Sequence, residues 1–191
     1  MARLSLKKKV KKEWFPIIAP KIFNNVEIGE TIAADINKTI GRTVELPLNF
    51  VLNDPSKNFV WAKFRIVKAD ENEKKVYTEV EEIFLSRQYI YRIVRPGTKK
   101  VEIIFDCFTK DNKKVRVKAV IITAGKAHYN QRRAIRKVII EHLTNLIKNM
   151  EYYELINSVI NRGIQNEMLK IAKKIYPIHY AEIRKLQLMK K

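Results

Sequence analysis

Arg132, Arg133, Arg136 and Lys137 crowd the run QRRAIRK, Gln131 to Lys137, with Tyr129 just ahead of them. Guanidinium groups present a planar fork that matches phosphate oxygens, and an aromatic ring beside them can stack on an unpaired base. The chemistry this spacing offers is therefore binding of a polyanion. Ile135, Val138, Ile139, His142, Leu143, Leu146 and Ile147 recur at helical spacing behind the cations and form one apolar stripe. The helix so predicted turns that stripe inward and leaves its first two turns basic. Cations at a helix N-terminus face the positive end of the helix dipole, a cost that a phosphate backbone would offset. A plain solvated helix face gives the same pattern, and this segment alone leaves both readings open.

Other residue types could do chemistry, but their spacing argues against it. Glu79, Glu81, Glu82 and Asp106 could supply carboxylates for metal or acid–base work. In a strand Glu79 and Glu81 share one face, expected to face solvent. His128, His142 and His179 have no zinc-site spacing, and Cys107 has no second thiol to join. His142 falls on the apolar stripe and reads as a packed helix residue, Cys107 as a buried, inert strand thiol. The five glycines are too scattered for a phosphate-cradling loop. No catalytic residue, metal ligand, cofactor or small-molecule substrate is expected: the chain binds and is not an enzyme.

The charge of the whole chain supports that reading. Thirty-nine Lys and Arg against twenty Asp and Glu give +19 on 191 residues, a self-repulsion that a polyanionic partner would relieve. With 46% hydrophobic residues the chain can still bury a core. One cysteine precludes an intrachain disulfide and fits a reducing compartment. No run approaches the roughly 20 apolar residues of a membrane span, and no secretory signal is visible. A membrane-surface role would need the apolar face that the basic helix uses for packing, so no membrane partner is expected. Charge is concentrated at both ends and at 126–137, whereas Asp70 to Glu82 is acidic. Basic extensions around a more neutral body follow.

The elements that must position these residues can be read from periodicity. Residues 1–40 lack a clear period and read as an extended basic arm: Lys7, Lys8, Lys9, Lys11 and Lys12, then Trp14-Phe15-Pro16. Ile17, Ile18 and Ile22 are interleaved with Trp14, Phe15 and Phe23, which favours aromatics that anchor the arm over aromatics that stack on bases. Residues 41–125 read as a β-barrel-like core. Val44, Leu46, Leu48 and Phe50 alternate, as do Val60, Ala62, Phe64 and Ile66, with a third strand over Val76–Val80. Leu85–Val94 reads as a short helix capped by Ser86. Residues 100–123 form a hairpin about Asp111-Asn112, with Arg116 and Lys118 on the face opposite Val115 and Val117. Residues 126–191 read as helices over 130–149, 151–161 and 164–175, with a break at Gly163. A C-terminal extended segment, Ile183 inward and Arg184-Lys185 outward, then packs on the core. The class is α+β: a small antiparallel barrel-like core followed by C-terminal helices.

Several segments are recognisable together. KEWFPIIAPKIF at 12–23, IGET at 28–31, Gly41-Arg42, Leu85-Ser86-Arg87, Val115-Arg116-Val117-Lys118, QRRAIRK at 131–137, Ile175-Tyr176-Pro177 and Arg184-Lys185 keep the order of one family. The chain resembles the archaeal and eukaryotic S-three-A-e, or e-S-one, small-subunit ribosomal proteins, in the compact archaeal form. The resemblance covers nearly the whole chain. It implies a cytoplasmic ribonucleoprotein component on the platform of the small ribosomal subunit, touching the 3′ region of the rRNA and neighbouring platform proteins near the mRNA exit. It also implies a part in subunit assembly and translation initiation.

On that basis the expected RNA contacts are Lys7, Lys8, Lys9, Lys11, Lys12, Arg87, Arg92, Arg116, Lys118, Lys126, Tyr129, Arg132, Arg133, Arg136, Lys137, Arg184 and Lys185. The chain departs from the family pattern after Arg92, at Val94 to Lys100, and ahead of QRRAIRK, at Ile122 to Lys126. Lysine stands there in place of an arginine cluster and gives a point charge instead of a bidentate fork. Contacts should be dominated by phosphate, because A-form RNA is read largely by shape. The arm at Lys7–Lys12 should order on binding. An RNA-modifying or RNA-cleaving enzyme, and a non-specific nucleic-acid-coating protein, are the competing readings.

Overall fold

The computed structural model describes residues 11–189. Eight strands, β1 (Glu13–Ile18), β2 (Glu27–Ala33), β3 (Thr43–Pro47), β4 (Val60–Asp70), β5 (Lys75–Leu85), β6 (Lys100–Phe108), β7 (Lys114–Thr123) and β8 (Ile178–Leu188), form one mostly antiparallel sheet. The helices are α1 (Leu48–Leu52), α2 (Arg87–Ile93), α3 (Tyr129–Asn149), α4 (Tyr152–Ile160) and α5 (Gly163–Lys173). Among the described residues the chain divides into two compact units. One comprises residues up to Val44 with Phe64–Glu79; the other comprises Glu45–Lys63 with residues from Val80 onward.

In the first unit β1 and β2 pair antiparallel, Trp14 opposite Ile32 and Phe15 opposite Thr31. Ile17 and Ile18 pair in parallel with Val76 and Tyr77 of β5. The stretch that the sequence shows without a period is thus, from Glu13 on, two strands around a core of Phe15, Ile17, Ala33, Ile36, Ile66 and Val76. Phe23 meets Phe64 edge-on at 5.5 Å. The aromatics separate as strand alternation requires: Phe15 is 6% exposed and anchors, while Trp14 is 63% exposed.

In the second unit β6, β7 and β8 form the main antiparallel surface, and the hairpin expected over 100–123 is present, with Cys107 opposite Val115. Val115, Val117, Ala119 and Ile121 are buried on one face of β7. α3 packs against β6 and α5 against β8. On the opposite face α2 brings Ile93 onto Val120 and Ile122, with Tyr89 and Tyr180 beside them. Ser86 Oγ caps α2 by accepting from Tyr89 N at 3.3 Å, as the sequence suggests.

Three expectations need correction. The sheet is not a closed barrel: its order is β2-β1-β5-β8-β7-β6, with β4 paired to β5 and β3 to β4, and β6 remains an edge. Closure requires the two end strands of that order to pair, and β2 and β6 do not. The edge is instead overlain by α3, whose Arg136 Nε donates to the Glu102 carbonyl at 3.2 Å. The alternation Val44 to Phe50 does not stay a strand. β3 ends at Pro47 and α1 follows, which buries Leu48 and exposes Phe50. Finally, the break between α4 and α5 falls on Arg162, in the left-handed region at φ 62°, and Gly163 begins α5.

Candidate nucleic-acid interface

The first turns of α3 are built as the sequence predicts. His128 is the N-cap, its backbone N–H donating to Gln131 Oε1 at 2.9 Å in a capping box. Ile135, Ile139, Leu143 and Ile147, four residues apart, are all buried; Val138 and Leu146 flank the stripe and are more open. That row holds the helix down and leaves the remaining surface to Tyr129 (66% exposed), Arg133, Arg136 and Lys137. Together with Asn130, Ala134 and Ile140 these residues line an open hollow. Arg132 is half-buried, and its Nε has no hydrogen-bond partner. No acidic residue lies in the first turn, and none of the four cations has a carboxylate partner among the described residues. His142 sits at the margin of the stripe, its Nε2 3.2 Å from Glu167 on α5.

The second group lies on the face of β6–β7–β8 that the three C-terminal helices leave free. Lys118 stands opposite Ile104 on one side and Lys185 on the other. The register shifts between Lys118 and Ala119 make Arg184 the extra residue of a bulge. Most of these cations are already matched. Arg116 makes a bidentate pair with Asp106 at 2.7 and 2.9 Å, and Lys185 meets Glu82 at 2.8 Å. Arg184 Nη1 lies 3.5 Å from Glu102, which Lys100 also holds at 2.8 Å. The Arg116 hydrogen bond keeps the Asp106 carboxyl below its ordinary range, as the Lys100 bond does for Glu102. Lys118 has no anionic partner among the described residues.

The remaining predicted residues are dispersed. Lys11 and Lys12 precede β1 and are exposed; Lys7, Lys8 and Lys9 lie outside the described residues. Arg87 opens α2 and is exposed, whereas the Arg92 guanidinium lies 4.6 Å from the Phe59 ring centre and 5.4 Å from that of Tyr89. Lys126 is exposed on the link into α3. Sequence reasoning missed the stacking partner Phe59 and the residues around Glu182. Arg162 and Tyr89 both donate to this buried carboxylate, which burial nevertheless pushes above its usual pKa. A single acid inside an otherwise cationic tail, Lys170 to Lys191, was the one signal for it.

Cys107 is buried and its thiol is pushed up to about 11, first by burial and then by neighbouring Asp106. The described residues contain no cluster of ligand-type side chains able to hold a metal and no helix long and apolar enough to cross a membrane. Glu82 and Asp106 are engaged by Lys185 and Arg116.

An α+β protein with a cluster of cations, without carboxylate partners among the described residues, on a helix fixed by a buried stripe belongs to the class of basic binding proteins. The chain matches the Ribosomal S3Ae family over residues 5–191 and belongs to that family, in its archaeal type. It is 37% identical over 179 residues to the small ribosomal subunit protein eS1 of Saccharolobus islandicus (strain L.S.2.15 / Lassen #1), covering 94% of this chain and 85% of the relative. The eS1 protein of Saccharolobus solfataricus matches to the same extent. That of Methanopyrus kandleri is 37% identical over 182 residues, covering 93% of this chain and 85% of the relative.

Proposed function

We propose that the chain is a structural constituent of the small ribosomal subunit that binds rRNA without catalysing a reaction. α3 is the principal contact. The observation that carries this reading is the set Arg132, Arg133, Arg136 and Lys137, without carboxylate partners among the described residues, of which Arg133, Arg136 and Lys137 are held outward by the buried row Ile135, Ile139, Leu143 and Ile147. Free cations at a helix N-terminus release counterions and lose the dipole penalty when they meet phosphate. The names of its relatives and the +19 charge support the same reading.

The finer placement is on the platform, near the 3′ end of the rRNA and the mRNA exit, in the cytoplasmic ribosome and beside other platform proteins. There the chain supports subunit assembly and initiation. Lys118 and the exposed Lys11, Lys12, Arg87 and Lys126 would add contacts around α3, Lys7, Lys8 and Lys9 would extend the set, and Arg184 would join once it leaves Glu102. Arg116, Arg92 and Lys185 contribute once their present partners yield.

Sedimentation of a native lysate through a magnesium-containing gradient tests the assignment. Stoichiometric residence in the small-subunit peak that survives roughly 0.5 M monovalent salt is expected, since exposed charge contacts alone are strongly screened there. A protein that stays at the top, or washes off well below that salt, overturns it.

A further inference from the structure

The second unit contains a cavity of about 140 Å³ bounded by the turn at Pro55–Lys57, β4, β5, α2 and the junction of α4 with α5. Phe59 and Tyr89 form its aromatic side, their rings stacked at 5.0 Å with 30° between planes. Its other side is polar and enclosed. Glu182 is 3% exposed, and its Oε1 accepts from the Tyr89 hydroxyl at 3.1 Å and from Arg162. Gln165 is 6% exposed; its Nε2 donates to the Val159 carbonyl at 2.9 Å, while its Oε1 is buried with no partner among the described residues. Lys57 Nζ donates to the Ile160 carbonyl at 2.7 Å, which leaves two of its three N–H groups.

A buried amide oxygen without a donor destabilises a fold, so an oxygen kept in that state beside a cavity points to a donor-bearing occupant. A cavity of about 150 Å³ admits one six-membered aromatic ring, and a fused purine needs more room. The occupant that fits is a flat single ring with an N–H on one edge and a carbonyl on another. We infer that this cavity receives one pyrimidine base turned out from a single-stranded segment of RNA, its N–H donating to Gln165 Oε1 and its carbonyl accepting from Lys57. RNA loops are read in this manner, by unstacked bases set against aromatic side chains. The inference rests on the RNA-binding reading above and gives it a base-selective component that α3 does not supply.

The test uses the full chain and fluorescently labelled hexanucleotides, U6, C6, A6 and an abasic hexamer, at roughly 0.1 M salt. U6 or C6 should bind about tenfold more tightly than A6 or the abasic strand, the order of one base's stacking and pairing. Gln165→Leu should erase the preference; it removes the unsatisfied oxygen together with the Nε2 bond to the Val159 carbonyl, which keeps the Arg162 N–H as donor, and circular dichroism checks that the variant is folded. Lys57→Ala, at a half-buried position, should weaken the preference and serves should the leucine variant misfold. Replacing Arg132, Arg133 and Arg136 together with Ala should weaken all four strands alike and keep the preference. Equal binding of the four strands by the native protein, or a preference unchanged in folded Gln165→Leu, overturns the inference. Free CMP or UMP competing as well as the hexamer overturns the RNA strand as source. Loss of preference with intact small-subunit residence sinks the cavity alone; preference without subunit residence sinks the ribosomal assignment alone.

Discussion

The first turns of α3 and the free face of β6–β7–β8 carry the same side chains but hold their charge in opposite ways. On α3 the cations lack carboxylate partners among the described residues and crowd the positive end of a dipole, so phosphate contact relieves an existing cost. On the sheet Arg116, Lys185 and Arg184 already face Asp106, Glu82 and Glu102, so phosphate must displace a partner in place. Counting basic residues therefore overstates an interface: availability matters as much as number.

The contrast can be broken most severely through the helix's own support. Ile139→Ala, at a fully buried site, should cost about 3 kcal/mol and lower the unfolding temperature by about 6–10 °C, measured by circular dichroism. RNA binding should be lost together with the fold at temperatures above the lowered transition. The triple change of Arg132, Arg133 and Arg136 to Ala should leave that temperature unchanged and lower rRNA-fragment affinity about 100-fold. The slope of log affinity against log salt should fall by about 2, read by filter binding. Loss of fold in this variant would make those arginines structural and erase the contrast.

On the sheet the effect should run the other way. Asp106→Asn with Glu82→Gln frees Arg116 and Lys185 and should raise RNA affinity about threefold, whereas unchanged affinity would mean that the face does not meet RNA. Acid titration sharpens this. Asp106 is held below its ordinary 3.8, so its stabilisation is present above that value and lost as pH falls through its lower folded pKa. Arg116→Ala should remove that part of the acid limb in a pH–stability series. Smallest in consequence, Cys107, pushed up to about 11 from 9.0, should react with iodoacetamide at pH 8 about 100-fold more slowly than in the unfolded chain.

Much of this was legible in the sequence because it is local. The period of α3, the Ser86 cap, the hairpin about Asp111-Asn112 and the outward side of Arg116 and Lys118 depend on residues close in sequence. What failed depends on distant partners. The destination of β8 between β5 and β7, and with it the open sheet, is set by packing that no window of sequence contains. The strands of 13–33 were hidden because prolines and polar residues interrupt the alternation that Phe15 and Ile17 still follow in their burial. Pairing was equally invisible: ten positions separate Arg116 from Asp106, but more than eighty separate Arg184 from Glu102.

The place of β8 also governs how the protein comes into being. β5 and β7, the strands it joins, are synthesised well before it, and β8 follows all three C-terminal helices in the chain. While the nascent chain grows, the facing edges of β5 and β7 stay without their ladder, and Glu82 and Arg162 wait for Lys185 and Glu182. Contacts of such long sequence separation are slow to form and leave strand edges open in the interval. Folding of this unit should therefore have β8 as its last cooperative step, and a chain stopped before Ile178 should be prone to aggregate through those two edges.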